Sequence, residues 1–274
     1  MLFCPHEDDE LLMTAGVVHR AVQNGDGVYV NIVTNGEYEG EDISALRLQE
    51  SIRTLTTLGV PRENIQFFGY SDTGMEYEVS FLHRLYFGEE GLLIPSNFGR
   101  TETFVPAEFP EYHMARFGCH APYTRASVAE DVYTALSDVM PDVIYAPCRV
   151  DRHGDHMALY RFVCDAVERA RAEKDAAYRP ELFQFLIHTY DDIAWPNRCP
   201  ADAAEHHYLA PADIEKLGLD WDSRIVVPVP DDMKRSSKEN LKYNILEMYE
   251  TQHPHDYNEY IVSFAKDEEI FFKD

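Results

Sequence analysis

Residues 1–12 read Met1-Leu2-Phe3-Cys4-Pro5-His6-Glu7-Asp8-Asp9-Glu10-Leu11-Leu12, and the order of chemistry along them decides the fold. Met1 to Cys4 is the tail of a buried strand. A polar turn interrupts it. From Glu10 to Asn24 the apolar residues Leu11, Leu12, Ala15, Val18 and Val22 then recur at helical spacing, with Asn24-Gly25 as the C-cap. A strand that passes through a short turn into a helix opens a βαβ unit.

The same rhythm continues outward. Val28 to Thr34 is a β-branched strand ending at Asn35-Gly36, Ser44 to Leu58 is a helix closed by Gly59, and Ile65 to Tyr70 is a strand. After a break come a helix over Ala126–Met140, a strand over Asp142–Pro147, a helix over Asp155–Lys174 and a strand over Leu182–Thr189. Such alternation predicts an α/β fold whose parallel sheet is joined by right-handed crossovers and flanked by helices. A C-terminal extension follows, with strands at Arg224–Val229, Tyr260–Phe264 and Glu268–Phe272 and a helix near Lys234–Tyr249. The break itself, 75–125, is an aromatic-rich insertion (Tyr77, Phe81, Tyr86, Phe87, Phe98, Phe104 among others) and reads as a lid or an oligomer contact.

With 274 residues, 45% of them hydrophobic, the chain is read as a single domain, 1–274. Lys and Arg number 24 against 49 Asp and Glu, so the formal net charge is −25. That field repels phosphate backbones and anionic lipids, which excludes nucleic-acid and membrane-surface partners. No apolar stretch is long enough to cross a bilayer, and no basic segment precedes an apolar run at the start. Cys4, Cys119, Cys148, Cys164 and Cys199 are scattered, with no CxxC pair, so neither a disulfide framework nor a zinc knuckle is expected. A reducing, cytoplasmic setting fits this usage.

Two clusters carry chemistry. His6 and Asp9 stand three apart on an incipient helical turn after a strand, where both side chains point the same way. Imidazole and carboxylate together suit zinc. Capping of the helix N-terminus is the competing reading for these acids, and it is the one adopted for Glu7 and Glu10. The second cluster, Asp151-Arg152-His153-Gly154-Asp155-His156, also follows a strand and opens a helix. Both junctions lie at the carboxyl edge of one parallel sheet, where ligands gather. Together they supply three ligands, His6, Asp9 and His156, with room left for a water, the arrangement of a catalytic rather than a structural zinc. Cys4 and Cys148 are core thiols, and His253 and His255 are solvent histidines.

Pro5 to Glu10 resembles P-H-P-D-D-E, and Asp151 to His156 resembles D-x-H-P-D-H. Together they resemble the PIG-L deacetylase family, also called LmbE-like. Arg47-Leu48-Gln49-Glu50 with Leu58-Gly59 is similar to the family's R-x-x-E…LG helix, and Phe67 to Asp72 to its F-L-G-Y-x-D turn. A weaker similarity falls at Lys242 and Gln252. The resemblance implies a Rossmann-like fold and one divalent ion, zinc, held by His6, Asp9 and His156. It also implies Asp8 as general base and His153 as the stabiliser of the tetrahedral intermediate, adding positive charge there if protonated. Asp151 and Asp155 are both placed to orient His153, and the resemblance points to Asp155. Arg47 either binds a substrate hydroxyl or phosphate, as the resemblance implies, or is an exposed helix arginine paired with Glu50.

Two departures stand out. Glu7 and Gly154 occupy the positions of the family's prolines and are expected to loosen the backbone locally. The activity these features lead us to expect is removal of an acetyl group from an N-acetylated amino sugar or glycoside. The alternatives are a zinc amidase acting on an acylated secondary metabolite and a metal-containing binding protein without turnover. The partner is a small N-acetylated molecule, and the insertion suggests self-association.

Overall fold

A computed structural model describes residues 1–190, 195–196 and 206–273; Cys199 lies outside them. Five strands form one parallel sheet: β1 (Leu2–Cys4), β2 (Val30–Thr34), β3 (Ile65–Tyr70), β4 (Val143–Pro147) and β5 (Glu181–Phe185), in the order β3-β2-β1-β4-β5. Helices α1 (Asp9–Leu12), α2 (Ala15–Asn24) and α3 (Glu41–Thr57) lead from β1 to β3. In the insertion lie α4 (Phe81–Phe87) and α5 (Tyr112–Phe117), followed by α6 (Arg125–Val139) and then α7 (Gly154–Glu173) after β4.

Both faces of the sheet are covered. On β1, Leu2 and Cys4 enter a core shared with α2, α3 and the C-terminal segment, whereas Phe3 enters a second core with α4, α6 and α7. Alternation of side chains along a strand produces this split, and burial on both faces explains the near-continuous apolar runs. Each fully buried Leu or Phe contributes about 1.5–3 kcal/mol of transfer free energy. The insertion is built into this second core. Phe81, Leu82 and Leu85 of α4 are buried there, and Tyr112 of α5 stacks on Phe68 with ring centroids 4.6 Å apart.

The single helix expected over Glu10–Asn24 is two. Thr14 turns its hydroxyl onto the Glu10 carbonyl, and Glu269 accepts from the backbone N–H of Gly16 (2.7 Å) and Val17 (2.9 Å), capping α2 from a strand 252 residues or more away. Glu269 is also held at 2.9 Å by Lys242, and both side chains are fully buried. Lys242, singled out in the sequence, therefore ties the C-terminal extension to α2.

In that extension, after α8 (Ile214–Leu217), β6 (Ile225–Pro228) pairs antiparallel with β7 (Glu268–Phe271). The helix expected near Lys234–Tyr249 shortens to α9 (Leu241–Leu246), which starts where Asn240 accepts from the Tyr243 N–H. The strand expected at Tyr260–Phe264 is instead a 3₁₀ turn over Val262–Phe264, after α10 (Asp256–Glu259). Every residue from Ile261 to Ala265 is buried, so the run carries no alternation to tell strand from turn. No helix among the described residues is long and apolar enough to span a membrane.

Candidate metal and catalytic site

β1 and β4 are neighbours whose next strands lie on opposite sides of them, so the crevice beyond their carboxyl ends is the topological switch point of the sheet. Both sequence clusters open into it. His6 follows β1 within two residues, and Asp151 to His156 link β4 to α7.

His6 Nδ1 lies 3.1 Å from Asp9 Oδ2, His156 Nε2 lies 3.1 Å from the same oxygen, and the two ring nitrogens are 3.3 Å apart. Bonds of 2.0–2.1 Å to a tetrahedral ion require donor atoms ~3.3–3.4 Å apart. The three side chains are buried, and their donor atoms form one of two groups able to hold a metal. The other group shares His6 and adds His153 and Asp155.

Behind each imidazole stands a second carboxylate. Asp155 Oδ2 is 3.3 Å from His6 Nε2, and Asp151 Oδ2 is 3.3 Å from His156 Nδ1. A carboxylate on the far nitrogen fixes ring and tautomer for a metal on the near one. Burial alone would depress both imidazoles, yet Asp72, Asp155 and Asp9 hold His6 well above its ordinary value, and Asp9 and Asp151 lift His156 to about 10. Although burial opposes it, the same pairing holds Asp9 well below the usual carboxylate range. The cradle therefore demands positive charge: two imidazolium protons, or one divalent cation in their place. The donor set, its spacing and its charge fit a metal such as zinc.

Asp8 faces the pocket, partly exposed, and its carboxylate receives no hydrogen bond from any described residue, whereas its backbone carbonyl accepts from Leu11 and Leu12. Burial and the neighbouring Asp9 raise its pKa, against the pull of Arg47, His6 and His188. His153 is the N-cap of α7. Its Nδ1 accepts the Asp155 backbone N–H at 3.2 Å, which leaves the ring proton on Nε2. Burial and the surrounding imidazoles of His6, His156 and His188 push its pKa well below the ordinary value. Neither of the carboxylates offered for holding His153 meets its ring among the described contacts. The Asp155 carboxylate sits on His6 and the Leu82 N–H (2.7 Å), and the Asp151 carboxylate touches His153 through its backbone N–H (2.9 Å) and not its ring.

Both departures from the family pattern have tertiary causes, and neither loosens the chain. The Gly154 N–H donates to Met75 O at 2.9 Å, which a proline could not do, and a Cβ there would meet Ser80 at 2.5 Å. The insertion packs directly on the second cluster. Glu7 is fully buried, with one oxygen 3.5 Å from Arg47 Nε. Glu10 is also fully buried and accepts from Tyr249 OH at 2.8 Å. Neither acid caps α1, which has no side-chain cap.

Arg47 is likewise buried rather than exposed, with Nη1 3.6 Å from Asp72. Its supposed partner Glu50 instead accepts from the Thr251 backbone N–H (3.0 Å) and hydroxyl (2.5 Å). The pocket has a volume of about 350 Å³ and is lined by Asp8, His153, Arg47, Asp72, His188 and Tyr260 among others. His188 was not foreseen, because the strand expected over Leu182–Thr189 ends at Phe185 and releases it to the crevice. Tyr260 OH lies 3.3 Å from its Nδ1. A histidine three residues beyond a parallel strand's carboxyl end was the available signal. His253 also borders the pocket, whereas His255 is exposed beside Glu247.

No curated protein sequence matches the chain significantly. Among solved structures, a conserved protein from Thermus thermophilus superposes with a TM-score of 0.53 at 16% identity, covering 99% of this chain and 92% of that one. N,N'-diacetylchitobiose deacetylase from Pyrococcus horikoshii gives 0.53 at 17% identity, covering 96% and 74%. The deacetylase of A40926 pseudoaglycone gives 0.51 at 17%, covering 98% and 94%. At such identities these similarities establish the fold. The sequence profile described as PIG-L: GlcNAc-PI de-N-acetylase matches residues 1–167, more than half of the chain and all of the metal cradle, and the protein belongs to that family.

Proposed function

We propose that the chain is a metal-dependent N-deacetylase that removes acetate from an N-acetylated amino sugar or glycoside. The observation that carries this reading is an unbonded carboxylate, Asp8, beside a three-donor cation cradle at the switch point of the sheet. Family membership supports it, as do deacetylases among the structures of like fold.

His6, Asp9 and His156 would hold the ion, with zinc the natural fit. Such an ion supplies Lewis-acid polarisation of the amide carbonyl and lowers the pKa of a water toward ~7. Asp8, its pKa raised and its oxygens free, takes the proton of the attacking water and returns it to the departing nitrogen. His153, with its proton on Nε2, donates to the oxyanion as a neutral hydrogen-bond donor. Asp155 is a positioning residue, through its carboxylate on His6 and its N–H on His153. Residues 1–274 work as one domain, in which Gly74 and Met75 at the mouth of the insertion form part of the pocket wall.

The test is acetate release from neutral N-acetylglucosaminides by metal-loaded protein. Asp8→Asn is expected to lower turnover by about 10²–10⁴-fold while metal stoichiometry stays at that of the native chain. Equal turnover in the variant would remove Asp8 from the chemistry and the reading with it.

A further inference from the structure

The first motif holds two acids that the chemistry does not use, and of these Glu7 reaches the pocket wall through Arg47. Glu7 is wholly buried, its carboxyl oxygens find no hydrogen-bond partner among the described residues, and one lies 3.5 Å from Arg47 Nε. Room for this contact is made by Gly36, which has φ +65°. A Cβ at that position would stand 2.7 Å from the Glu7 carboxylate and 3.1 Å from Arg47 Cδ. On its other edge Arg47 meets Asp72 at 3.6 Å. The guanidinium at the pocket wall is therefore flanked by two carboxyl groups before any substrate arrives.

An arginine recruited for a phosphate or carboxylate presents a free fork of N–H donors to it. Here its charge is already faced by two carboxyl groups at ion-pair distance, and the surrounding wall is acidic: Asp8, Asp9, Asp72 and Asp256 all border the pocket, with Arg47 as the one guanidinium among the described residues that line it. A divalent ion on Asp9 offsets part of that charge. Hydroxyl groups tolerate such surroundings, since they donate to carboxylates. An anionic group beside the reacting amide meets like charge, and the one guanidinium among the described lining residues is already paired in charge with Glu7 and Asp72.

We propose that the site takes uncharged N-acetylated glycosides and rejects those carrying a phosphate or carboxylate near the amide, with Glu7, acting through Arg47, as the specificity-determining residue. The proposal rests on the N-deacetylase reading and narrows its substrate class. Arg47 is then a positioning residue that offers its remaining N–H groups to hydroxyls, not an anion anchor.

The experiment compares methyl N-acetyl-β-glucosaminide with N-acetylglucosamine 1-phosphate, on metal-loaded native protein and on Glu7→Gln. The native chain is expected to favour the neutral glycoside by about tenfold or more in kcat/KM. Glu7→Gln, which keeps the shape and removes the acid, is expected to narrow that ratio through KM for the phosphate ester, with the neutral substrate little changed. Preference of the native chain for the phosphate ester, or a loss in the variant that falls equally on both substrates, overturns the proposal. If neither compound releases acetate, the hydrolase reading fails. Calorimetric binding of the same pair to the native protein then still decides the charge preference: tighter binding of the neutral glycoside supports it, and any other result, including no binding, overturns it. That native measurement also stands if Glu7→Gln does not fold.

Discussion

Asp151 shows how much one buried carboxylate organises here. It lies 3.3 Å from His156 Nδ1 and accepts the backbone N–H groups of His153 (2.9 Å), Ile187 (3.0 Å) and His188 (3.1 Å). The loops after β4 and β5 are thereby joined at the atom that orients a metal ligand. Asp151→Asn keeps an acceptor and loses the charge. The expected result is a fall in metal affinity of about 10–100-fold, as for other carboxylates behind a ligating histidine, read by competition with a chromogenic chelator. Unchanged affinity in a folded variant would show that Asp151 serves the loops alone.

At the scale of elements, the insertion is tied to the Rossmann-like frame by polar as well as apolar contacts. Asp131 on α6 accepts from Tyr70 OH on β3 and meets His113 Nδ1 on α5, both at 2.6 Å. Burial outweighs those two partners and raises its pKa from 3.8 to about 6. A carboxyl raised on folding binds its proton more tightly in the native state, so its contribution is fully present below pH ~4 and is lost as pH rises through 6. A shift of roughly two units corresponds to ~3 kcal/mol. The stability difference between the native chain and Asp131→Asn, which does not titrate, is expected to move in favour of the variant by that order between pH 4 and 7. Denaturant unfolding at the two pH values measures it, and a pH-independent difference would mean that Asp131 titrates alike in the folded and unfolded chains.

Across the whole molecule, the metal cradle joins chain segments 147 residues apart or more, since His6 and Asp9 leave β1 and His156 opens α7. An ion bound there links the two sides of the switch point and stabilises only the folded state. At a free concentration about a thousand times Kd this is worth ~4 kcal/mol, a rise in Tm on the order of 10 °C for a chain of this size. Chelation is expected to lower Tm by that order, with restoration on adding zinc. The ion replaces protons on His6 and His156, so its affinity is expected to weaken as pH falls. A midpoint unmoved by complete metal removal would mean that the folded chain binds no ion preferentially at this cradle.

Local order along the chain determined the alternation of strands and helices, the two strand-to-helix junctions and the set His6, Asp8, Asp9, His153 and His156, because periodicity and motif spacing are properties of neighbours in sequence. The parallel sheet brought those residues together as expected. The tertiary structure alone decided what depends on residues remote in sequence. The Asp155 carboxylate went to His6 rather than to the His153 ring, and Glu7 and Arg47 met in the interior instead of capping a helix or facing solvent. Gly154 gained its reason from Met75 and Ser80. His188 became a pocket residue when its strand stopped short, and Glu269 divided α2 from α1 across the length of the chain. A buried carboxylate must find a cation or a donor wherever packing provides one, and which one it finds is settled by the arrangement of whole elements in space.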